Sequence, residues 1–168
     1  MTSDYPPPPP PQQPGQYGYP GSYPPPGRGQ QPGGLGLRFA ARFIDGIIVN
    51  VVGLILAFAI GSQSNILITG LFTGVLTFIY FVALEVSQGW TLGKKLLGLS
   101  VHGPAGAPKP TVQQSAIRNS WTLLPIIPWL GGLVLFIAYI VIAVTINSSP
   151  TKQGKHDELA GGTQVVRS

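Results

Sequence analysis

Three charged side chains open the first long apolar run of the chain: Arg38, Arg42 and Asp45. At 100° per residue they fall within roughly 60° of arc, so a helix carries them on one stripe. An ionised carboxylate in such a run costs roughly 2.5–3.5 kcal/mol at mid-bilayer, and less near the interface. We therefore expect Asp45 to pair with Arg42 or Arg38, with Arg118 as a further candidate. The pair is either an ion, proton or ligand site or a structural anchor, and the sequence leaves both open.

Long uncharged stretches predict helices that cross a membrane. No charged residue occurs between Asp45 and Glu85, and the polar segment 61–65 divides this stretch into two runs. Each run approaches the length of about 20 residues that crosses a hydrocarbon core of about 30 Å. The predicted spans cover about residues 39–60, 66–84 and 123–146. The fold class predicted is all-α: a polytopic membrane helical bundle with three transmembrane helices. Residues 112–120 form either a surface helix or a poor fourth span, which leaves the side of the C-terminus open.

The composition agrees with lipid as the solvent. Charged residues make up 9% of the 168 residues and apolar residues 44%, against about 25% charged residues in a soluble domain. The basic residues flank the apolar runs instead of forming a polar patch, so we expect no nucleic-acid partner. They precede the first run and follow the second, which predicts a multi-pass cell-membrane protein with a cytoplasmic N-terminus and a cytoplasmic 85–118 loop.

Residues 1–34 differ from the rest of the chain because they contain no Ile, Leu, Val, Phe or Trp. Such a Pro/Gly/Tyr-rich segment buries too little apolar area to offset its ordering entropy, and it is predicted to be a disordered tail. The membrane domain then covers residues 35–168. The tail is either a docking arm for a partner or a spacer. It has no apolar h-region, so the first apolar run is expected to serve as an uncleaved insertion signal.

Two other patterns concern packing and chemistry. Gly70 and Gly74 form a G-x-x-x-G that would let another helix approach closely, with the first span near Gly53 as the expected partner, unless the match is incidental. Gly93-Lys94 lacks the spacing of a phosphate-binding loop. The sequence contains no G-x-S-x-G, no H-E-x-x-H and no cysteine. We expect no enzymatic activity, no catalytic residues, no metal and no cofactor.

Three separated motifs resemble the RDD family of membrane proteins. The first is Arg38-Phe39-Ala40-Ala41-Arg42-Phe43-Ile44-Asp45; the second is Gly89-Trp90-Thr91-Leu92-Gly93-Lys94-Lys95-Leu96-Leu97-Gly98-Leu99-Ser100-Val101; the third is His156-Asp157-Glu158-Leu159-Ala160-Gly161-Gly162-Thr163, with one additional glycine. The resemblance implies a family triad of Arg38, Asp45 and Asp157. It also implies a secondary motif with Glu85, Thr91, Gly93, Lys94, Gly98 and His156, to which we add Arg118. With its tail, the chain is similar to the proline-rich antigens of mycobacteria and related actinobacteria.

Two functional hypotheses follow. The first is a non-enzymatic membrane protein that binds or moves a small solute or ion, using the charges around Asp45. Because three or four short spans can hardly form a full transporter alone, this hypothesis requires a homo-oligomer or another membrane protein. The second is a structural or interaction module whose tail recruits partners to the membrane. The family resemblance itself implies no defined molecular role.

Overall fold

The computed structural model describes residues 30–61, 66–127 and 129–167. In chain order, its elements are β1 (Gln31–Pro32), α1 (Leu35–Ala59), α2 (Ile66–Gln88), α3 (Leu92–Leu96), β2 (Leu99–His102), a 3₁₀ turn (Pro104–Gly106), α4 (Val112–Asn119), a 3₁₀ segment (Ser120–Ile126), α5 (Gly131–Ser148), α6 (Lys155–Leu159) and β3 (Gln164–Arg167). Apart from residues 30–34, the predicted tail lies outside the described residues.

Two of the described helices are long and apolar enough to cross a membrane. They are α1, with 25 residues, and α5, with 18 residues. Both leave most of their apolar side chains exposed, as lipid-facing helices do. They coincide with the first and third predicted spans. Helix α2 coincides with the second predicted span, but only its part from Thr73 to Gln88 qualifies as a shorter apolar helix. The count of three spans therefore stays a prediction.

The chain enters α5 through a segment that is not α-helical. Pro125 lies inside the 3₁₀ segment Ser120–Ile126, where its missing N–H cannot continue an α-helical ladder. This segment packs against the two glycines of α2: a Cβ on Gly70 would lie 2.9 Å from the Pro125 carbonyl oxygen, and one on Gly74 would lie 3.0 Å from Ile126 Cγ1. The G-x-x-x-G therefore faces the 3₁₀ segment. The expectation that it faces the first span was wrong. An irregular backbone is tolerated at such a place because protein covers it.

The C-terminal segment returns to the end of the bundle where α1 begins. The 3₁₀ segment runs along α2 toward Gly70, and α5 runs back toward the start of α1. Asp157 Oδ2 therefore lies 2.8 Å from Arg38 Nη1. Helix α4 has 8 residues, a length of about 12 Å, which is too short to cross a bilayer. A fourth span over residues 112–120 would need more of the chain than α4, and the number of spans stays a prediction.

A small antiparallel sheet covers this end of the bundle. Its strand order is β1-β3-β2, and apolar side chains of the two longer strands pack on Ala41 of α1. The all-α prediction was wrong in this respect. Gln31 and Pro32 pair with β3, and Gly33 N–H donates to the Val165 carbonyl. The predicted tail boundary at residue 34 therefore lies a few residues inside the ordered domain.

The shared location of the 85–118 loop and the C-terminal segment can be tested by cysteine labelling. Ala107 and Lys155 are both exposed at the same end of the bundle. Single cysteines at these two positions should respond alike to a membrane-impermeant thiol reagent in intact cells. A cysteine at Ser64, in the predicted connection between the first two spans, should respond in the opposite way. Different labelling of positions 107 and 155 would contradict this fold.

Candidate functional site

The Asp157 carboxylate joins three segments of the chain. Arg38 Nη1 of α1 lies 2.8 Å from Oδ2, and Arg118 Nε of α4 lies 3.1 Å from Oδ1. Asp157 is fully buried, and its own segment contributes hydrogen bonds from the Gly154 N–H and the Thr163 hydroxyl. Burial alone would raise the pKa of Asp157, but Arg118, His156 and Arg38 outweigh it and hold the pKa well below its usual range. The carboxylate is therefore ionised at neutral pH.

Asp45 is held by uncharged donors. Its carboxylate accepts hydrogen bonds from the Tyr80 hydroxyl at 2.7 Å, the Thr91 hydroxyl at 2.6 Å and the Gly93 N–H at 2.7 Å. None of the ion pairs among the residues that the structure describes includes Asp45. The expected pairing of Asp45 with Arg42 or Arg38 was therefore wrong. Three hydrogen bonds to a carboxylate can replace a counter-ion, because each of them favours the charged form.

Helix α3 reaches Asp45 because its second residue has no side chain. A Cβ on Gly93 would lie 2.2 Å from the Ala41 carbonyl oxygen and 3.0 Å from the Asp45 carboxyl carbon. Gly98 has a φ of 65° and turns the chain from α3 into β2, a conformation that costs glycine little. Helix α3 therefore packs against α1 with Gly93 and Lys94 buried, while Leu96 stays 72% exposed.

Glu85 forms a third buried carboxylate site. Lys94 pairs with one carboxylate oxygen, while the Ser115 hydroxyl and the Asn119 amide donate to the other at 2.9 Å each. Burial lowers the pKa of Lys94 to about 8, since the attraction of Glu85 offsets only part of the desolvation. Glu85 thus connects the end of α2 to α3 through Lys94 and to α4 through Ser115 and Asn119.

Arg42 is the remaining cation at this end of α1. Its guanidinium lies 3.7 Å from the ring centroid of Phe81 and 4.5 Å from that of Trp121, in cation–π contact with both. Both terminal nitrogens approach the Asn119 side-chain oxygen, at 3.3 and 3.4 Å. Within the described part of the chain, no carboxylate forms an ion pair with Arg42.

A cavity of about 710 Å³ lies between α1 and α5, with these cations at one end. Arg38, Arg42, Lys94 and Arg118 all line it. Three buried N–H groups of its lining have no hydrogen-bond partner among the described residues: Arg38 Nη2, Arg118 Nη1 and Trp121 Nε1. Unpaired buried donors cost free energy, so these two guanidinium groups and the indole N–H favour a hydrogen-bond acceptor.

Comparison with known proteins assigns the family. A family model described as "RDD family" matches residues 32–161. The chain belongs to the RDD family. It is also 32% identical, over 158 aligned residues, to the uncharacterized protein YxaI of Bacillus subtilis (strain 168), covering 79% of this chain and 95% of that protein. No solved structure matches the chain. The family and the two long apolar helices together indicate a membrane-associated protein.

The RDD triad does not form one site. Arg38 and Asp157 pair, whereas Asp45 belongs to the contact between α1 and α3. The secondary motif is brought to the same end of the bundle, and Arg118 joins it through Asp157. His156 Nε2 lies 3.5 Å from Asp157 Oδ1. Gly70 and Gly74 remain apart from this site, against the 3₁₀ segment.

Sequence reasoning missed several uncharged members of the site. Tyr80 holds Asp45, and Ser115 with Asn119 holds Glu85. A signal for the last two existed, because Ser115 and Asn119 are four residues apart and fall on one face of a helix. Tyr80 gave a weaker signal: it is one of the few polar groups in an otherwise apolar run. Phe81 and Trp121 gave none, since aromatic residues are common in membrane helices.

The close approach of α3 to α1 predicts a large effect of Gly93→Ala. The added methyl group would collide with the Ala41 carbonyl, so α3 must move and the Asp45 hydrogen bonds must weaken. We expect a loss of about 3 kcal/mol or more in the free energy of unfolding, measured in a nonionic detergent. Gly36→Ala on α1 is the control, because its Cβ would meet nothing within 4 Å. Equal stability of the two variants would contradict the assigned role of Gly93.

Buried His156 predicts a stability that falls in mild acid. Burial lowers the pKa of His156 to about 4 from 6.5, so the unfolded chain takes up a proton at pH values where the folded chain does not. Stability is then lost as the pH falls below 6.5, by on the order of 1–2 kcal/mol at pH 5. The free energy of unfolding, measured between pH 7.5 and 5, should change less with pH for His156→Gln than for the parent protein. An unchanged slope would show that His156 is not the group responsible.

Proposed function

We propose that this RDD protein is a non-enzymatic membrane protein that binds a small anionic solute in the cavity between α1 and α5. The observation that carries the proposal is the set of cations and unpartnered N–H groups at one end of that cavity. These positive groups specify the charge of the ligand: the small solute or ion expected from the sequence is an anion.

The charge balance of the site supports an anionic ligand. Four cations that line the cavity, Arg38, Arg42, Lys94 and Arg118, stand against three buried carboxylates, those of Asp45, Glu85 and Asp157. His156 adds no charge at neutral pH, because burial lowers its pKa to about 4. One positive charge is left unmatched among the described residues. A buried uncompensated charge is costly, and a bound anion removes that cost.

The geometry identifies Arg42 as the main contact for the ligand. Its charge is held between two aromatic rings and is matched by no carboxylate in ion-pair distance within the described residues. Trp121, whose ring it contacts, also carries one of the unpartnered N–H groups. Arg38 and Arg118 each give one N–H to Asp157, and each has a second, buried nitrogen without a hydrogen-bond partner among the described residues. An acceptor with several oxygen atoms satisfies such a set best.

The proposal includes the membrane arrangement predicted from the sequence. The basic residues around the start of α1 and in the 85–118 loop favour a multi-pass cell-membrane protein with its N-terminus, its cationic site and its C-terminal segment on the cytoplasmic side. The exposed apolar faces of α1 and α5 leave room for lipid, a second copy or another membrane protein. The similarity to mycobacterial proline-rich antigens and the recruiting role of the tail rest on residues 1–34 and remain predictions.

Anion-dependent stability tests the proposal. Inorganic phosphate should raise the unfolding midpoint of the purified protein in nonionic detergent more than chloride does at equal ionic strength. A ligand that binds only the folded state stabilises it by about 2.7 kcal/mol at 100 times its Kd. Arg42→Gln should abolish most of the phosphate effect, because it removes the unmatched charge.

Lys109→Gln is the matched control for this measurement. It removes the same charge from an exposed position outside the cavity and should leave the phosphate effect unchanged. An equal loss in the two variants would reduce the effect to non-specific electrostatics and would reject the site. Release of phosphate from liposomes that contain the protein, compared with empty liposomes, then separates transport from binding alone.

A further inference from the structure

We propose that the natural occupant of this cavity is an anionic phospholipid of the surrounding bilayer, with its phosphodiester at the cations and an acyl chain between α1 and α5. The inference rests on the proposed anion site and adds the chemical class of the ligand. It follows from the shape and polarity of the rest of the cavity.

The cavity has a charged end and an apolar end. Along α1 its lining extends from Leu35 to Asn50, which is about 22 Å of helix. Helix α5 runs in the opposite direction, so Ile146 lies at the charged end and Phe136 lies at the far end. Beyond the first two turns of α1, the lining is almost entirely aliphatic and aromatic. A small hydrophilic anion would leave this part of the cavity without a partner, whereas a hydrocarbon chain fits it.

The cavity opens toward the surface that lipid covers. Phe39 and Phe43 line it and are each 63% exposed, and Phe136 on the opposite wall is 62% exposed. Side chains that line a cavity and also face outward define a lateral opening. Because α1 and α5 are both long and apolar enough to cross a membrane, that opening faces the acyl chains, and a lipid enters without leaving the bilayer.

The charge of the site favours a phosphodiester over a neutral headgroup. One positive charge is unmatched among the described residues, which a single negative charge neutralises. Phosphatidylglycerol carries one net negative charge. Phosphatidylcholine has the same phosphodiester but also a quaternary ammonium, which the cluster of arginines repels. The location of the cations also suits a lipid headgroup. Arg38 and Arg42 lie in the first turns of α1, at the boundary of the apolar run.

Binding of three probes to the full-length protein in nonionic detergent tests the inference, with the bound fraction measured by native mass spectrometry. The probes are phosphatidylglycerol, phosphatidylcholine of identical chains, and glycerophosphoglycerol, which is the headgroup without chains. We expect phosphatidylglycerol to bind at least about tenfold more tightly than either of the others, since only it meets both ends of the cavity.

Two glycine variants on α1 separate the chain from the headgroup. Gly46 lines the cavity and an added Cβ there meets nothing within 4 Å, so Gly46→Leu fills the apolar part without a backbone clash. It should weaken phosphatidylglycerol binding at least about tenfold and change glycerophosphoglycerol binding far less. Gly36→Leu, equally free of contacts and outside the lining, is the matched control and should bind phosphatidylglycerol like the parent.

The outcomes distinguish this inference from the proposed function. If glycerophosphoglycerol binds as tightly as phosphatidylglycerol, or Gly46→Leu has no effect, the site takes a free anion and the lipid inference is overturned. If phosphatidylcholine binds as tightly as phosphatidylglycerol, charge plays no part, and the proposed anion site fails together with the inference. Parent-like phosphatidylglycerol binding by Arg42→Gln would overturn both in the same way. The comparisons among the three probes and Gly46→Leu need only that variant and the parent protein to be folded, so they hold even if Arg42→Gln is unstable.

Discussion

Neutralisation of Asp157 by two arginines is the constraint on which this end of the molecule depends. The carboxylate comes from α6, and its partners come from α1 and α4, which are far apart in the chain. Loss of one partner of a buried ion pair typically costs about 3–5 kcal/mol, because the remaining charge stays in a poorly solvated place. The positions of α1, α4 and the C-terminal segment are therefore coupled through Asp157.

The same constraint explains why the cavity is positive. Two arginines form ion pairs with Asp157, and Lys94 forms one with Glu85. The Asp45 carboxylate instead accepts hydrogen bonds from a tyrosine, a threonine and a backbone N–H. The neutral donors around Asp45 leave Arg42 without a carboxylate in ion-pair distance in the described structure. Had Asp45 paired with Arg42, the net charge of the site would be the same, but the Arg42 guanidinium would not be available to contact an anion. Under the proposed function, the availability of Arg42 for an anion thus depends on how closely α3 approaches α1, and hence on the missing side chain of Gly93.

The sequence predicted those features that depend on local composition. The apolar lengths of α1 and α5 were visible because lipid exposure demands uninterrupted apolar residues. The sheet was not predicted, since its strands have two to four residues, too few for an alternating pattern, and they pair across more than 60 positions of the chain. The charged members of the site were all found, but the partner of Asp45 was misassigned. Arg42 and Asp45 share a helix stripe, yet tertiary contacts decided the outcome and not their spacing.

The order of the sheet bears on how the protein is made. Strand β3 lies between β1 and β2 but follows both in the chain. While the ribosome is still synthesising α5, neither edge strand has its neighbour, and Arg38 and Arg118 have not yet met Asp157. The nascent membrane helices must therefore be inserted with these two guanidinium groups still facing water or lipid headgroups. Only after α6 and β3 emerge does this end of the bundle close, so its assembly is a late step that follows insertion.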